Sequence, residues 1–262
     1  MQAFQDQLNR TIYLKHRPTR IVSLVPSQTE LLYDLGLDHE IVGITDYCVR
    51  PKHWKYPKSK LGGTKKLHLP AIHKLNPDLI IANKEENDKE QIEALVGHYP
   101  VWISDIRHIA DACQMIETVA VITGKQEIAR NMIGEIRKSF EQLARLKKTR
   151  KEAAYFIWRK PYMVAGGDTF ISAMMDYCGF NNYFTHHSRY PIVSDVHSLA
   201  GCEVILLSSE PFPFQQKHIE ELSFFLPTAK FKLVDGEMFS WYGSRLLQAP
   251  AYFRKLIKEM QQ

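Results

Sequence analysis

The chain carries eleven histidines and four cysteines, and the spacing of these residues argues against the chemistry their types suggest. His186 and His187 are adjacent, and sequence neighbours rarely ligate one metal together. They stand in Asn-Asn-Tyr-Phe-Thr-His-His-Ser-Arg, a polar loop after Cys178-Gly179. No His-Glu-x-x-His helix and no two-histidine, one-carboxylate spacing occurs. Cys48, Cys113, Cys178 and Cys202 are far apart with no Cys-x-x-Cys pair, so neither a zinc site nor a redox couple is supported, and reduced thiols are expected. The best nucleophile fragment is Asp46 near Cys48. The best carboxylate pair is Glu85-Glu86, but adjacent residues at a helix start point apart, and acids there favour the helix dipole without any catalytic role. Gly166-Gly167-Asp168-Thr169 lacks the lysine of a phosphate loop, and no Gly-x-Ser-x-Gly elbow is present. The chain reads as non-catalytic, with no intrinsic cofactor or resident metal. A metal would arrive inside a ligand.

What remains is an aromatic and amide-rich set of residues, and its placement depends on the elements. A chain of 262 residues, 45% hydrophobic and 24% charged, is long enough for two modest α/β lobes and is not disordered. The net charge of +5 is mild and scattered, so no nucleic-acid partner is expected. Its one dense run, Lys147-Lys148-Thr149-Arg150-Lys151, falls where a helix should end and cations complement the dipole. Met1 to Arg20 has no apolar core of a secretory signal, and no run of about 18 apolar residues exists to span a membrane. As encoded, the polypeptide is expected in the cytoplasm, as a monomer.

Short β-branched runs alternate with helical stretches in the first half. Strands are expected at Arg20–Val25, Ile41–Ile44, Asp78–Ala82 and Val101–Ile103. Helices are expected at Thr29–Leu35 (opened by Ser27 or Gln28 and capped by Gly36), Leu69–Leu75 and about Lys89–Val96. This cadence implies parallel strands with helices on the faces. From about Ile109 to Lys148 the pattern is helical, punctuated at Gly124. Within Lys125–Lys148, Ile128, Met132, Ile136, Phe140 and Leu143 or Leu146 form one apolar stripe on a helix about 36 Å long. The α/β pattern then restarts: strands at Ala153–Trp158, Cys202–Leu207 and Phe231–Val234, a helix from Thr169 to Cys178, and a terminal helix from Pro250 to Met260. The fold expected is α/β, with two Rossmann-like lobes built on parallel sheets and joined by one long backbone helix. The boundaries expected are 1–122, 123–150 and 151–262.

The opening Arg20-Ile-Val-Ser-Leu-Val-Pro-Ser-Gln-Thr-Glu-Leu-Leu-Tyr-Asp-Leu-Gly resembles that of the helical-backbone solute-binding proteins of ABC importers. Ile41-Val-Gly-Ile-Thr, Gly62-Gly63-Thr64 and Leu75-Asn-Pro-Asp-Leu-Ile-Ile-Ala82 continue in that family's order, and Thr11–Tyr13 with Arg17-Pro-Thr-Arg-Ile21 resembles the start of its mature domain. After Gly179 only strand and loop order carries the likeness. The resemblance implies a ligand held in a cleft between lobes, against the carboxyl ends of both sheets, where crevices beyond parallel strands usually bind. The ligands it implies are cobalamin, haem and ferric siderophores. The first-lobe segments are most similar to the cobalamin-binding branch.

Residues just beyond the strand ends are the candidate ligand contacts: Pro26, Ser27, Gln28, Asp46, Tyr47, Gly63, Thr64, Asn83 and Lys84 from the first lobe. The second lobe offers Trp158, Arg159, Pro161, Ser208, Ser209, Phe212, Phe239, Trp241 and Tyr242. A corrinoid presents a broad apolar ring rimmed by amides, so it calls for aromatic surfaces and neutral donors and acceptors. Tyr47, Trp158, Trp241 and Tyr242 supply the first, Gln28, Thr64 and Asn83 the second. The cobalamin-binding branch usually carries tryptophan where Thr64 and Asn83 stand, so a corrinoid would be held differently here, or the ligand is another chelate. The resemblance also implies an acid on each lobe facing arginines of an ABC permease. In the first lobe that position falls near Pro70, with Lys65 and Lys66 close by and no acid between Asp46 and Asp78; in the second it falls near Val196, beside Asp195. The expected partner is therefore a small metal-chelate, with permease coupling weakened. The alternative is an intracellular corrinoid carrier uncoupled from a transporter.

Overall fold

Leu79-Ile80-Ile81-Ala82-Asn83 is buried at every position, which a strand achieves only when both faces of its sheet are covered. A computed structural model describes residues 1–55, 58–148 and 150–261, so Thr149 of the basic run lies outside the described residues. The chain divides into two compact units, Met1–Glu135 with Tyr242–Arg245, and Ile136–Trp241 with Leu246–Gln262.

The first unit begins with an antiparallel hairpin, β1 (Gln2–Gln5) and β2 (Thr11–Leu14), in a segment that shows little strand signal in the sequence. Its sheet is all parallel. β3 (Ile21–Ser23), β4 (Ile41–Ile44), β5 (Ser59–Lys60), β8 (Leu79–Asn83) and β9 (Val101–Ser104) lie in the order β5-β4-β3-β8-β9. A small ribbon, β6 (Gly62–Gly63) with β7 (Lys66–Leu67), follows β5. The helices are α1 (Pro26–Asp34), α2 (Leu69–Leu75), α3 (Lys89–Val96) and α4 (Ile109–Thr123). Val22, Leu24, Ile80 and Ala82 of the sheet pack with Ile72 of α2 and Ile92 and Leu95 of α3. Helix α1 starts three residues earlier than its sequence pattern implies. Pro26 occupies the first turn, where its missing N–H would have had no partner anyway.

Gly124 ends α4 at φ 68°, and α5 (Gln126–Ala144) then runs unbroken past Gly134, whose missing Cβ faces open space. The helix has 19 residues and is about 28 Å long, shorter than its apolar pattern implies. Met132, Ile136, Phe140 and Leu143 of the stripe are buried, whereas Ile128 in the first turn and Leu146 beyond the last are exposed. Residues up to Glu135 belong to the first unit, and Ile136 onward to the second.

The second unit centres on β10 (Lys151–Trp158), flanked in parallel by β12 (Phe180–Asn182) and by β14 (Val204–Ser208), which pairs in turn with β15 (Lys230–Val234). The sheet is mixed rather than wholly parallel: β11 (Tyr162–Val164) folds back antiparallel on β10, and β13 (Ile192–Val193) on β11. Helices α6 (Phe170–Tyr177), α7 (Gln216–Ser223), α8 (Gly236–Ser240) and α9 (Ala249–Gln261) complete it. Phe140 of α5 meets Tyr177 and Phe253 edge-on at 4.9 and 6.5 Å. Gly166-Gly167 is a packing device. A Cβ at Gly166 would lie 2.3 Å from the His187 carbonyl oxygen and one at Gly167 2.0 Å from that of Thr185, where both backbones must approach to bond.

After α8 the chain leaves the second unit at Trp241, lends Tyr242–Arg245 to the first, and returns at Leu246. Arg245 donates Nε (3.0 Å) and Nη2 to the two carboxylate oxygens of Glu30 on α1, both side chains being nearly buried. Gly243 lies where an added Cβ would meet the Ser27 carbonyl oxygen at 2.6 Å. Burial pushes the Glu30 carboxyl upward, and Arg245 draws it back. Arg245→Ala leaves that charge uncompensated and is expected to cost about 3–5 kcal/mol at neutral pH in urea unfolding. Because Glu30 then prefers its neutral form, the loss should shrink as pH falls through the raised carboxyl pKa. A loss that is constant with pH would contradict this account.

Candidate functional site

Each parallel sheet ends in loops that gather the polar residues of its unit. In the first, β3 hands over to α1 through a fully buried hydroxyl knot: Ser23 Oγ and Thr29 Oγ1 are 2.7 Å apart, and Thr29 donates to the Val25 carbonyl at 2.8 Å. Cys48, after β4, reaches the same hydroxyl at 3.0 Å and Thr45 Oγ1 at 3.1 Å. Burial raises the Cys48 thiol pKa, so it is a packed hydrogen-bonding group and not the nucleophile that its proximity to exposed Asp46 suggests. All four cysteines are buried and free.

The structure sorts the expected contacts by what their polar atoms already do. Asn83 is spent: its amide donates to the Ser104 carbonyl and Oγ at 3.2 and 2.9 Å, and its oxygen accepts the Glu85 and Glu86 N–H groups. Gln28 donates to the same Ser104 hydroxyl, leaving its buried Oε1 without a partner, as is the buried Ser27 Oγ. Lys84 pairs with Asp105 at 2.6 Å. Pro26 is buried at the head of α1. Tyr47 is 63% exposed, its ring over Gly63, where a Cβ would come within 3.1 Å of Cε2. Thr64 is half-buried beside it, its carbonyl bonded to Asn87.

In the second unit, Phe239 is a core residue rather than a contact: it is fully buried, with ring centroids 5.0 Å from Tyr155 and 4.8 Å from Phe253. Ser208 is also structural, accepting from the Tyr155 hydroxyl and donating to the Glu210 carbonyl. Ser209, more exposed, accepts the Gly236 N–H. Trp241 and Tyr242 are buried, and their polar tips are held by carboxylates: the Trp241 indole by Glu210 at 2.9 Å, the Tyr242 hydroxyl by Glu86 at 2.7 Å. Trp158 remains open at 40%, packed edge-on against Phe212, and Arg159 beside it pairs with Glu221 at 2.6 Å. Pro161 is exposed after a cis peptide bond. Among the expected contacts, the open aromatic surfaces are thus Tyr47 and Trp158.

Of the charged groups that anchor these loops, Glu30, Glu210 and Arg245 were not candidates from the sequence, and Glu86 was weighed only as half of an adjacent acid pair. The available signal was charge inside apolar runs, as in Thr29-Glu30-Leu31-Leu32 and Ser244-Arg245-Leu246-Leu247. Asp195, the second docking candidate, caps a short turn by accepting the His197 N–H at 2.9 Å. Pro70 is exposed in the first turn of α2, and Lys65 reaches the Asn87 carbonyl. Among the described residues, no group of three or more His, Cys, Asp or Glu could hold a metal ion. No helix among them is long and apolar enough to cross a membrane.

Residues 21–209 match the model of a family described as periplasmic binding protein. The chain belongs to that family. It is 28% identical over 179 residues to the vitamin B12-binding protein of Vibrio campbellii, a match covering 67% of this chain and 65% of that relative's length. The fold is that of the periplasmic vitamin B12-binding protein of Vibrio cholerae (TM-score 0.78, 20% identity, 94% of this chain and 99% of that one). It is equally that of a periplasmic haem-binding protein from Pseudomonas aeruginosa (TM-score 0.79, 18% identity, 92% of each chain).

Burial raises the Glu210 carboxyl pKa more than its Ser240 and Trp241 hydrogen bonds lower it. A carboxyl held above its unfolded value contributes stability below the unfolded pKa and loses it as pH rises through the folded one. Glu210→Gln keeps an acceptor for the indole and removes that loss. Its unfolding free energy should exceed that of the unsubstituted protein at pH 8 and converge with it near pH 4, as read by urea titration at both.

Proposed function

We propose that this protein binds a metal-chelate ligand, cobalamin or a related corrinoid in the first instance, through the loops at the carboxyl ends of its parallel strands. One observation carries the reading: in a chain of a binding-protein family, Tyr47 just past β4 and Trp158 at the last position of β10 leave large rings uncovered. Rings of this size offer apolar faces on which a planar macrocycle can stack. Thr64 and Ser209, half-buried and exposed, supply neutral groups for a rim of amides. The ligand brings its metal.

A second reading, haem or a ferric siderophore, is favoured by two residues. Thr64 and Asn83 stand where the cobalamin-binding branch usually has tryptophan, and Asn83 is fully engaged by Ser104 and its own loop. As to partners, Pro70 in place of a docking acid supports a carrier only weakly coupled to an ABC permease, or uncoupled from one. Recovery of the chain in a detergent-stable complex with a permease would overturn that part.

Absorbance titrations of the purified chain with cyanocobalamin, hemin and a ferric siderophore test the function. Saturable binding of one is expected. Tyr47→Ala and Trp158→Ala should each weaken it by about 5–30-fold, the range of a stacked aromatic contact worth about 1–2 kcal/mol. Binding of none of the three, or binding indifferent to both substitutions, sinks the proposal.

A further inference from the structure

Between the end of β10 and the start of α7, the second unit opens a groove of about 460 Å³ lined by Arg159, Phe212, Gln215, Lys217, His218 and Glu221. Its one carboxylate is already satisfied: Glu221 Oε1 accepts from the Tyr162 hydroxyl at 2.7 Å, and Oε2 from Arg159 Nη2 at 2.6 Å. Arg159 neutralises that charge and still has an unspent donor, since Nε has no hydrogen-bond partner. His218 Nδ1 accepts the Gln215 N–H at 2.8 Å, which fixes the ring proton of the neutral imidazole on Nε2, a second donor. Lys217 is exposed and forms no ion pair among the described residues. With Arg159 and Glu221 cancelling, it leaves the lining with one uncompensated positive charge. Burial first, and then the Arg159 and Lys217 charges, push the His218 pKa down, which keeps the imidazole neutral. Phe212, with its ring 5.3 Å from His218 and 5.9 Å from Trp158, forms the apolar wall.

We propose that this groove is an oxyanion site, taking a carboxylate or phosphate group borne on a small apolar body. The body packs on Phe212, while Lys217, Nε2 of His218 and the remaining guanidinium donors of Arg159 hold the charge. Charge-assisted bonds from Arg and Lys are the strong ones, and a planar guanidinium already pinned by Glu221 loses little freedom on engaging an anion. Carboxylate and phosphate both present anionic acceptor oxygens, two in a plane for the first and three in a tetrahedron for the second. The site shares Arg159 and Phe212 with the expected chelate contacts and adds Lys217 and His218, which are not among them.

Calorimetric titration of the full chain with benzoate and, separately, phenyl phosphate tests it. Saturable binding of at least one is expected, and the tighter arm tells which oxyanion the groove prefers. Lys217→Glu places a like charge at the mouth and should lower the affinity by about tenfold or more, and because Lys217 is exposed the fold is not at stake. No saturable heat from either probe, or an unchanged affinity in Lys217→Glu, overturns the site. The chelate titrations on the same preparation report separately, so failure here is distinct from failure of the proposed function.

Discussion

The Arg245 guanidinium spans both oxygens of Glu30 in a place nearly closed to water, and much of the first unit's geometry follows from that pair. Either charge alone would be costly there, so the two must be brought together as the chain folds. Glu30 stands one turn into α1, next to Thr29, whose hydroxyl ties β3, the helix backbone and Cys48 together. Arg245 belongs to a four-residue strap that leaves the second unit only to be buried in the first. Fixing the strap fixes Gly243 against Ser27 and Tyr242 against Glu86, and so sets the head of α1 and the loop after β8.

A similar use of carboxylates recurs in the second unit. Glu210, beyond β14, accepts from Ser240 and the Trp241 indole, while Ser208 is clamped between Tyr155 and the Glu210 backbone. Trp241 and Tyr242 are neighbours in sequence, yet each gives its polar tip to a carboxylate of its own unit. The loops past the parallel strands are thus held by buried acids, while Tyr47 and Trp158 keep their rings exposed.

The sequence by itself determined the strands and most helices, because burial on both sheet faces demands short β-branched runs and the helices carry 3.6-residue stripes: Ile41–Ile44, Leu69–Leu75 and Lys89–Val96 were legible to the residue. It also carried the family, through the turn chemistry of Pro26 to Glu30 and the segments that follow. The tertiary structure alone decided which candidates remain available. Phe239, Asn83 and Ser208 look like ligand contacts from their place after a strand, but a position after a strand does not say whether a side chain turns into the core or finds a hydrogen-bond partner far along the chain. Glu30 and Arg245 are 215 residues apart, and no local periodicity encodes such a pairing. Helix α5 is a similar case: Ile128 and Leu146 continue its apolar stripe in sequence, yet both are exposed in the structure.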